Sequence, residues 1–301
     1  MKKENILVTG GTGFIGYNIL RRLAKSKLNL YSLSSKKPKK NKKIKKVKYI
    51  ICDIRKKKSL YKKIDLNFRY VINLCGYVDH KKKVITLQSH FHGCKNLVNF
   101  FKNKNLKNFI QIGSSLEYGL SSTPNKESSL CSPRGNYGFS KYMASKHVIK
   151  TGKKDNLSYT ILRLYQIYGP HQTINRLIPL TIDACLKNKK FPCSKGEQKR
   201  DFLYIEDLVD LIIKILKTKA SNEIYNVGSG RPIKIKQVIN IIKSSIRLGN
   251  PEFGKIKMRK DEIKNSYPNI SKVRNKFKWI PKINFRKGIK NTIKFYANKK
   301  N

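Results

Sequence analysis

The sequence predicts an α/β fold: a parallel sheet wound on both faces, with a smaller C-terminal lobe. Three observations predict it. Short apolar runs alternate with segments of helical periodicity, the first run feeds a glycine-rich loop, and 301 residues suffice for a large core. A hydrophobic content of 39% with 10% aromatics excludes wholesale disorder. No uncharged apolar run reaches the roughly eighteen residues of a membrane-spanning helix. The opening Met1-Lys2-Lys3-Glu4 lacks the features of a secretory leader, so a cytoplasmic location is expected.

Taken in order, the apolar runs place strands at 6–9, 28–33, 47–51, 71–74, 108–112, 158–162 and 224–227. Between them, 15–24, 89–101, 142–150 and 203–216 carry apolar residues at helical spacing. The Lys-rich stretch 36–46 reads as an exposed loop. After about residue 165 the alternation loosens, with helical patterns at 176–186, 232–246 and 285–296. Residues 1–165 are therefore expected to form the first domain, with 200–228 returning to it. Residues 166–301 should form mainly a substrate lobe, with the active site in the cleft between the two.

The strongest local signal is the first strand–loop–helix. Ile6-Leu7-Val8-Thr9 runs into Gly10-Gly11-Thr12-Gly13-Phe14-Ile15-Gly16 and then a helix. Glycines there allow a tight turn and close backbone approach to a pyrophosphate, and the helix N-terminus offers unpaired N–H groups. Gly10, Gly13, Phe14, Ile15 and Gly16 are thus expected to bind a dinucleotide on a Rossmann-like sheet. A site for NAD normally carries an acid at the end of the second strand, to accept from the ribose 2′-hydroxyl. Here Ser34 and Ser35 precede Lys36 and Lys37. Hydroxyl and ammonium groups suit a 2′-phosphate, so NADP(H) is expected ahead of NAD(H).

Tyr137-Gly138-Phe139-Ser140-Lys141 places a phenol and an ammonium on one helical face. The ammonium favours the phenolate, so Tyr137 can exchange a proton with an alcohol or ketone. Upstream, Phe109-Ile110-Gln111-Ile112 ends in Gly113-Ser114-Ser115, which puts a hydroxyl at a strand's C-terminal edge. Ser114, Tyr137 and Lys141 are the candidate catalytic residues.

With these motifs in this order, the chain resembles the extended short-chain dehydrogenase/reductases, the NAD-dependent epimerase/dehydratase family, over essentially its whole length. Further matching elements are Cys52-Asp53-Ile54-Arg55, Ser114-Ser115-Leu116-Glu117-Tyr118-Gly119 and Leu162-Arg163-Leu164-Tyr165-Gln166-Ile167-Tyr168-Gly169-Pro170. They continue with Arg200-Asp201-Phe202-Leu203-Tyr204-Ile205-Glu206-Asp207, Tyr225-Asn226-Val227-Gly228 and Phe277-Lys278-Trp279-Ile280-Pro281. The resemblance implies that Asp53 and Ile54 meet the adenine end, Tyr137 is the acid/base, Lys141 holds the nicotinamide ribose and Ser114 bonds the reacting sugar oxygen. It also implies substrate contacts from Ser115, Gln166 and Asn175, diphosphate contacts from Arg200 and Arg259, and a homodimer.

Departures from the family pattern narrow the chemistry. Family 4,6-dehydratases carry Asp-Glu where this chain has Ser115 and Leu116, so dehydration is not expected. His90 stands where epimerases usually have Asn. The expected function is NADPH reduction of a 4-keto-6-deoxy nucleotide sugar at C4 for surface-glycan synthesis, with an NAD-retaining 4-epimerase as the alternative.

The formal charge of +51 raises a third possibility, a noncatalytic nucleic-acid binder. The basic residues run the whole length without a discrete patch, and the catalytic trio is intact, so no specific nucleic-acid partner is expected. Six scattered cysteines lack a CxxC pair, and His80, His90 and His92 lack metal-site spacing, so no metal is expected.

Overall fold

The computed structural model describes residues 3–77, 82–258 and 262–298. The chain opens with β1 (Asn5–Thr9), α1 (Phe14–Leu23), β2 (Asn29–Ser34) and β3 (Val47–Ile51). Then come α2 (Lys57–Lys63), β4 (Tyr70–Asn73), α3 (Lys83–Leu87), α4 (Gly93–Phe101) and β5 (Asn108–Ser114). The 21-residue α5 (Gly135–Asp155) and β6 (Tyr159–Leu164) follow. The large sheet has the order β10-β6-β5-β4-β1-β2-β3, where β10 is Glu223–Val227. Neighbouring strands from β3 across to β6 pair in parallel.

Both faces of the sheet's centre are covered, so β1 is a continuous apolar run there: Ile6, Leu7 and Val8 are all fully buried. In α1 the buried residues Gly16, Ile19, Leu20 and Leu23 fall on one helical stripe. The chain's order reverses at β1, where β2 lies on one side and β4 on the other. In open α/β sheets this switch point is where ligands bind, at the strands' C-terminal ends.

The remaining elements are β7 (Gln166–Tyr168), α6 (Leu177–Leu186), β8 (Lys190–Cys193), β9 (Lys199–Tyr204) and α7 (Ile205–Leu216). After β10 come β11 (Pro232–Lys234), α8 (Ile235–Ile246), β12 (Asn250–Phe253), β13 (Asn265–Ser266), α9 (Ser271–Phe277) and α10 (Phe285–Ala297). Strand β9 pairs with β7, β11 and β13, and β8 pairs with β12.

The chain forms two compact units. One holds Met1–Ser121, Glu127–Leu164 and Val209–Tyr225; the other holds Ser122–Lys126, Tyr165–Leu208 and Asn226–Asn301. Of the 200–228 span expected to return to the first domain, 209–225 lies in the first unit and the rest in the second. Among the described residues, β9 pairs with strands of the second unit, through backbone hydrogen bonds that no apolar pattern announces. For the same reason, the helix expected from 203 starts at Ile205, and that expected from 232 starts at Ile235. The helix expected at 89–101 begins earlier, at Lys83, and passes through a π-helical turn, Gln88–His92.

Two buried carboxylates organise the second unit. Asp207 accepts N–H bonds from Lys282 and Ile283, at 2.9 and 3.1 Å, while its carbonyl accepts from the Trp279 indole at 3.1 Å. The Trp279-Ile280-Pro281 segment is thereby tied to the start of α7. Asp201 accepts from the Ser229 and Arg231 backbone N–H groups and from the Ser229 hydroxyl. Burial nevertheless pushes its carboxyl up from the ordinary 3.8 to about 6. Among the described residues, no helix is long and apolar enough to cross a membrane.

Replacing Asp207 with Ala leaves two backbone N–H groups without their acceptor. Chemical denaturation should show a loss of about 2–4 kcal/mol. Asp201 makes stability pH-dependent with a definite sign. Folded Asp201 keeps a proton that the unfolded chain releases near pH 4, so its contribution falls as pH rises from about 4 to about 6, then levels off. Thermal melts of wild type against Asp201→Asn should therefore diverge by up to roughly 3 kcal/mol across that window. A pH-independent difference would contradict this.

Candidate active site

The glycine loop leaves β1 at Gly10, whose φ is +69° and whose N–H donates to the Leu33 carbonyl at 2.7 Å. A side chain at Gly16 would put its Cβ 2.5 Å from the Gly10 carbonyl oxygen, so α1 can approach the loop this closely only without one. No side chain caps α1 at Gly13, which leaves its first N–H groups pointing beyond the helix end. A bare cradle of this kind, followed by a helix N-terminus, fits a pyrophosphate.

Around this loop, Ser34 is buried at the end of β2, and its Oγ lies 3.2 Å from the donating Thr12 hydroxyl. Ser35, Lys36 and Lys37 beyond it are exposed. Asp53 is gripped by Arg55, which donates Nε at 2.9 Å and Nη2 at 2.6 Å. These hydrogen bonds hold the Asp53 carboxyl below the usual carboxylate range. The Ile54 side chain is buried in the apolar core and abuts Gly93, and its carbonyl accepts from Asn96 Nδ2 at 2.8 Å.

Beneath the strand ends runs a buried polar chain. Thr9 Oγ1 donates to Asn73 Oδ1 at 2.7 Å, and Asn73 Nδ2 donates to Gln111 Oε1 at 2.8 Å. These links tie the C-terminal ends of β1, β4 and β5 in register. At the end of β5, Ser114 caps a 3₁₀ turn, Ser115–Glu117: its Oγ accepts from the Leu116 N–H at 3.2 Å. Ser115 is buried at the first position of that turn. Glu117 accepts from the Ser114 N–H at 2.9 Å through one oxygen and from Arg163 Nε at 2.9 Å through the other.

Helix α5 lies tightly against this turn, because Gly138 presents no Cβ to the Leu116 carbonyl; one there would sit at 2.5 Å. Tyr137 and Lys141 are thus carried to the turn that holds Ser114. Lys141 is only 4% exposed, and its ammonium donates to the Ile112 carbonyl at 2.7 Å, 5.9 Å from the Tyr137 ring centroid. Among the described lysines it alone is buried. Tyr137 also meets His90 edge-on, with centroids 4.9 Å apart. His90 sits in the π-helical turn, and one ring nitrogen lies 3.1 Å from the Tyr77 carbonyl. π-Turns concentrate at functional sites.

In the second unit, Gln166 is exposed on β7 and Asn175 is exposed in the turn before α6. Arg200, on β9, is half-buried; its Nη1 donates to the Lys199 carbonyl at 2.8 Å and its Nη2 pairs with Glu262. Arg259 and His80 lie outside the described residues. Glu117, Arg163, Gly138 and His90, which carried no assigned role, contact Ser114, Tyr137 or the turn after β5. Gly138 and His90 had a signal of kinds: a small residue inside the Tyr–Lys spacing, and a departure from the family's Asn.

The six cysteines are free. Burial pushes the Cys94 thiol up to about 12 and the Cys75 thiol to about 11.

Comparison with known proteins agrees with this geometry. The model of the NAD dependent epimerase/dehydratase family matches residues 6–228. CDP-abequose synthase of Salmonella typhimurium is 27% identical, over 97% of this chain and 98% of its own length. A putative UDP-glucose 4-epimerase of Methanocaldococcus jannaschii is also 27% identical, with the same coverage. The Thermus thermophilus UDP-glucose 4-epimerase, solved as a complex with NAD, superposes with a TM-score of 0.88 at 21% identity, covering 97% of this chain and 99% of that one. By its matched segment, its sheet order and its glycine loop, the chain is a member of the NAD dependent epimerase/dehydratase family.

Proposed function

We propose that the protein reduces a 4-keto-6-deoxy nucleotide sugar at C4, using NADPH. The observation that carries this reading is Lys141. In a chain with 68 Lys and Arg residues, it is the one described lysine that is buried, one helical turn from Tyr137 and fixed on the strand that presents Ser114. Burying an ammonium is costly, and surface lysines do not incur that cost.

The residues present fit a dinucleotide. Gly10, Gly13, Phe14, Ile15 and Gly16 would hold the pyrophosphate, Asp53 and the Ile54 backbone the adenine end, and Ser34 with its exposed successors the ribose 2′ position. A bound nicotinamide supplies the hydride for C4. Tyr137 gives its phenolic proton to the oxygen at C4. The Lys141 ammonium stabilises the resulting phenolate, helped by the positive end of α5, which begins two residues before Tyr137. Ser114 hydrogen-bonds the same oxygen, and Ser115 lies beside it in sequence. Gln166, Asn175, Arg200 and Arg259 would serve the nucleotide sugar, the two arginines meeting its diphosphate. Ser115 and Leu116 offer no acid–base pair for eliminating water.

A second reading, C4 epimerisation with retained NAD, is favoured by one observation. The Ser34 hydroxyl is buried against Thr12 rather than open to a 2′-phosphate. The full-length epimerase relative is in line with it.

Changing Tyr137 to Phe should reduce turnover at least a thousandfold while cofactor affinity stays within about twofold. Stopped-flow assay and cofactor titration read the two effects separately, and retained turnover removes Tyr137 from the chemistry. NADPH and NADH titrations at about 0.15 M salt or above, where the screening length is about 8 Å, decide between the readings. Preference for NADPH with stoichiometric consumption supports the reductase. NAD carried through purification supports the epimerase.

A further inference from the structure

The environment of Ser114 contains a device that the motif reading leaves unassigned. We infer that the buried Glu117–Arg163 ion pair is a positioning element that fixes the Ser114 hydroxyl as a hydrogen-bond donor toward the reacting sugar oxygen. This rests on the proposed role of Ser114.

Glu117 is fully buried and Arg163 is 3% exposed. They come from different strands' ends: Glu117 follows β5 in the 3₁₀ turn, and Arg163 lies on β6. Both Glu117 oxygens are committed, one to Arg163 Nε and the other to the Ser114 backbone N–H, each at 2.9 Å. The guanidinium carbon lies 4.5 Å from the Tyr118 ring centroid, so the ring holds the cation's plane. Gly113 makes room for the carboxylate, since a Cβ there would lie 2.4 Å from Glu117 Oε1.

The consequence for Ser114 is directional. Glu117 anchors its backbone N–H while the Leu116 N–H is donated to its Oγ at 3.2 Å. A hydroxyl that already accepts one bond is polarised to donate its own proton outward. Reduction of a ketone needs a donor at that place, because negative charge develops on the oxygen. A pair kept only for stability has an easy substitute, since apolar residues of similar volume replace buried ion pairs at little or no loss of stability. Aiming the Ser114 backbone, by contrast, requires a carboxylate.

The test uses the full chain with Glu117→Met and Arg163→Met combined, an apolar replacement that leaves no buried charge unpaired. Turnover is measured with NADPH on CDP-, dTDP- and UDP-4-keto-6-deoxyglucose, alongside circular dichroism and cofactor titration. The expected result is a folded protein with wild-type cofactor affinity, KM within about threefold and kcat lowered about 10- to 100-fold. Adding Ser114→Ala to the double variant should then cost nothing further. An unchanged kcat in the folded double variant, or losses that simply multiply with Ser114→Ala, overturns the inference. If Ser114→Ala alone turns over at the wild-type rate, the assigned role of Ser114 fails, and the inference fails with it.

Hydrogen exchange gives a second readout that needs neither substrate nor the double variant. In Glu117→Gln the Ser114 amide should exchange faster than in wild type. Unaltered protection there overturns the clamp, even if no sugar in the panel reacts and the reductase reading falls on its own.

Discussion

Burial of charge is the constraint on which the site depends. A carboxylate and a guanidinium sealed at the ends of β5 and β6 are tolerable because each neutralises the other, the carboxylate also takes the Ser114 N–H, and the guanidinium, whose Nη1 has no hydrogen-bond partner among the described residues, faces the Tyr118 ring. The buried Lys141 ammonium is held by the Ile112 carbonyl of β5. The three groups come from the turn after β5, from β6 and from α5, and they converge on β5 and its exit turn, where Ile112, Ser114 and Glu117 follow one another. Shifting the β5–β6 register by a residue would part Arg163 from Glu117 and strand both charges, so the ion pair and the sheet register are specified together.

Close approach is the second theme, and it is written in glycine. Gly16 lets α1 close on the glycine loop, Gly138 lets α5 close on the turn after β5, and Gly113 leaves room for the Glu117 carboxylate. In each case the space is taken by a backbone carbonyl or a charged oxygen, neither of which can move aside cheaply. The polar chain Thr9–Asn73–Gln111 then locks the three central strand ends to one another, so the loops they carry start from a rigid base.

The basic composition takes a different meaning once burial is known. Lysines of α2 and of the outer face of α5 are exposed and solvated, and they give the molecule a positive field that attracts polyanions at low salt. Lys141 belongs to another population, defined by environment rather than residue type. Composition cannot separate the two, because it counts ammonium groups without knowing which one faces a strand carbonyl.

By itself, the sequence determined the parts that depend on local spacing. These are the strands of the large sheet, to within a residue or two at their ends, the glycine loop between β1 and α1, and the Tyr137–Lys141 pair on one helical face. The strands are set by local apolar runs, the loop by its glycines and the pair by the 3.6-residue period of one helix. Tertiary structure alone decided the pairing of β9 with β7, β11 and β13, which gave residues 200–204 to the second unit. It also decided the π-turn that brings His90 to Tyr137, and the partnership of Glu117 with Arg163, 46 residues apart. Strands β7, β11 and β13, of three, three and two residues, are too short to form an apolar run, and a buried charge finds its partner across the fold. Both depend on distant chain arriving at the same place, which no local pattern records.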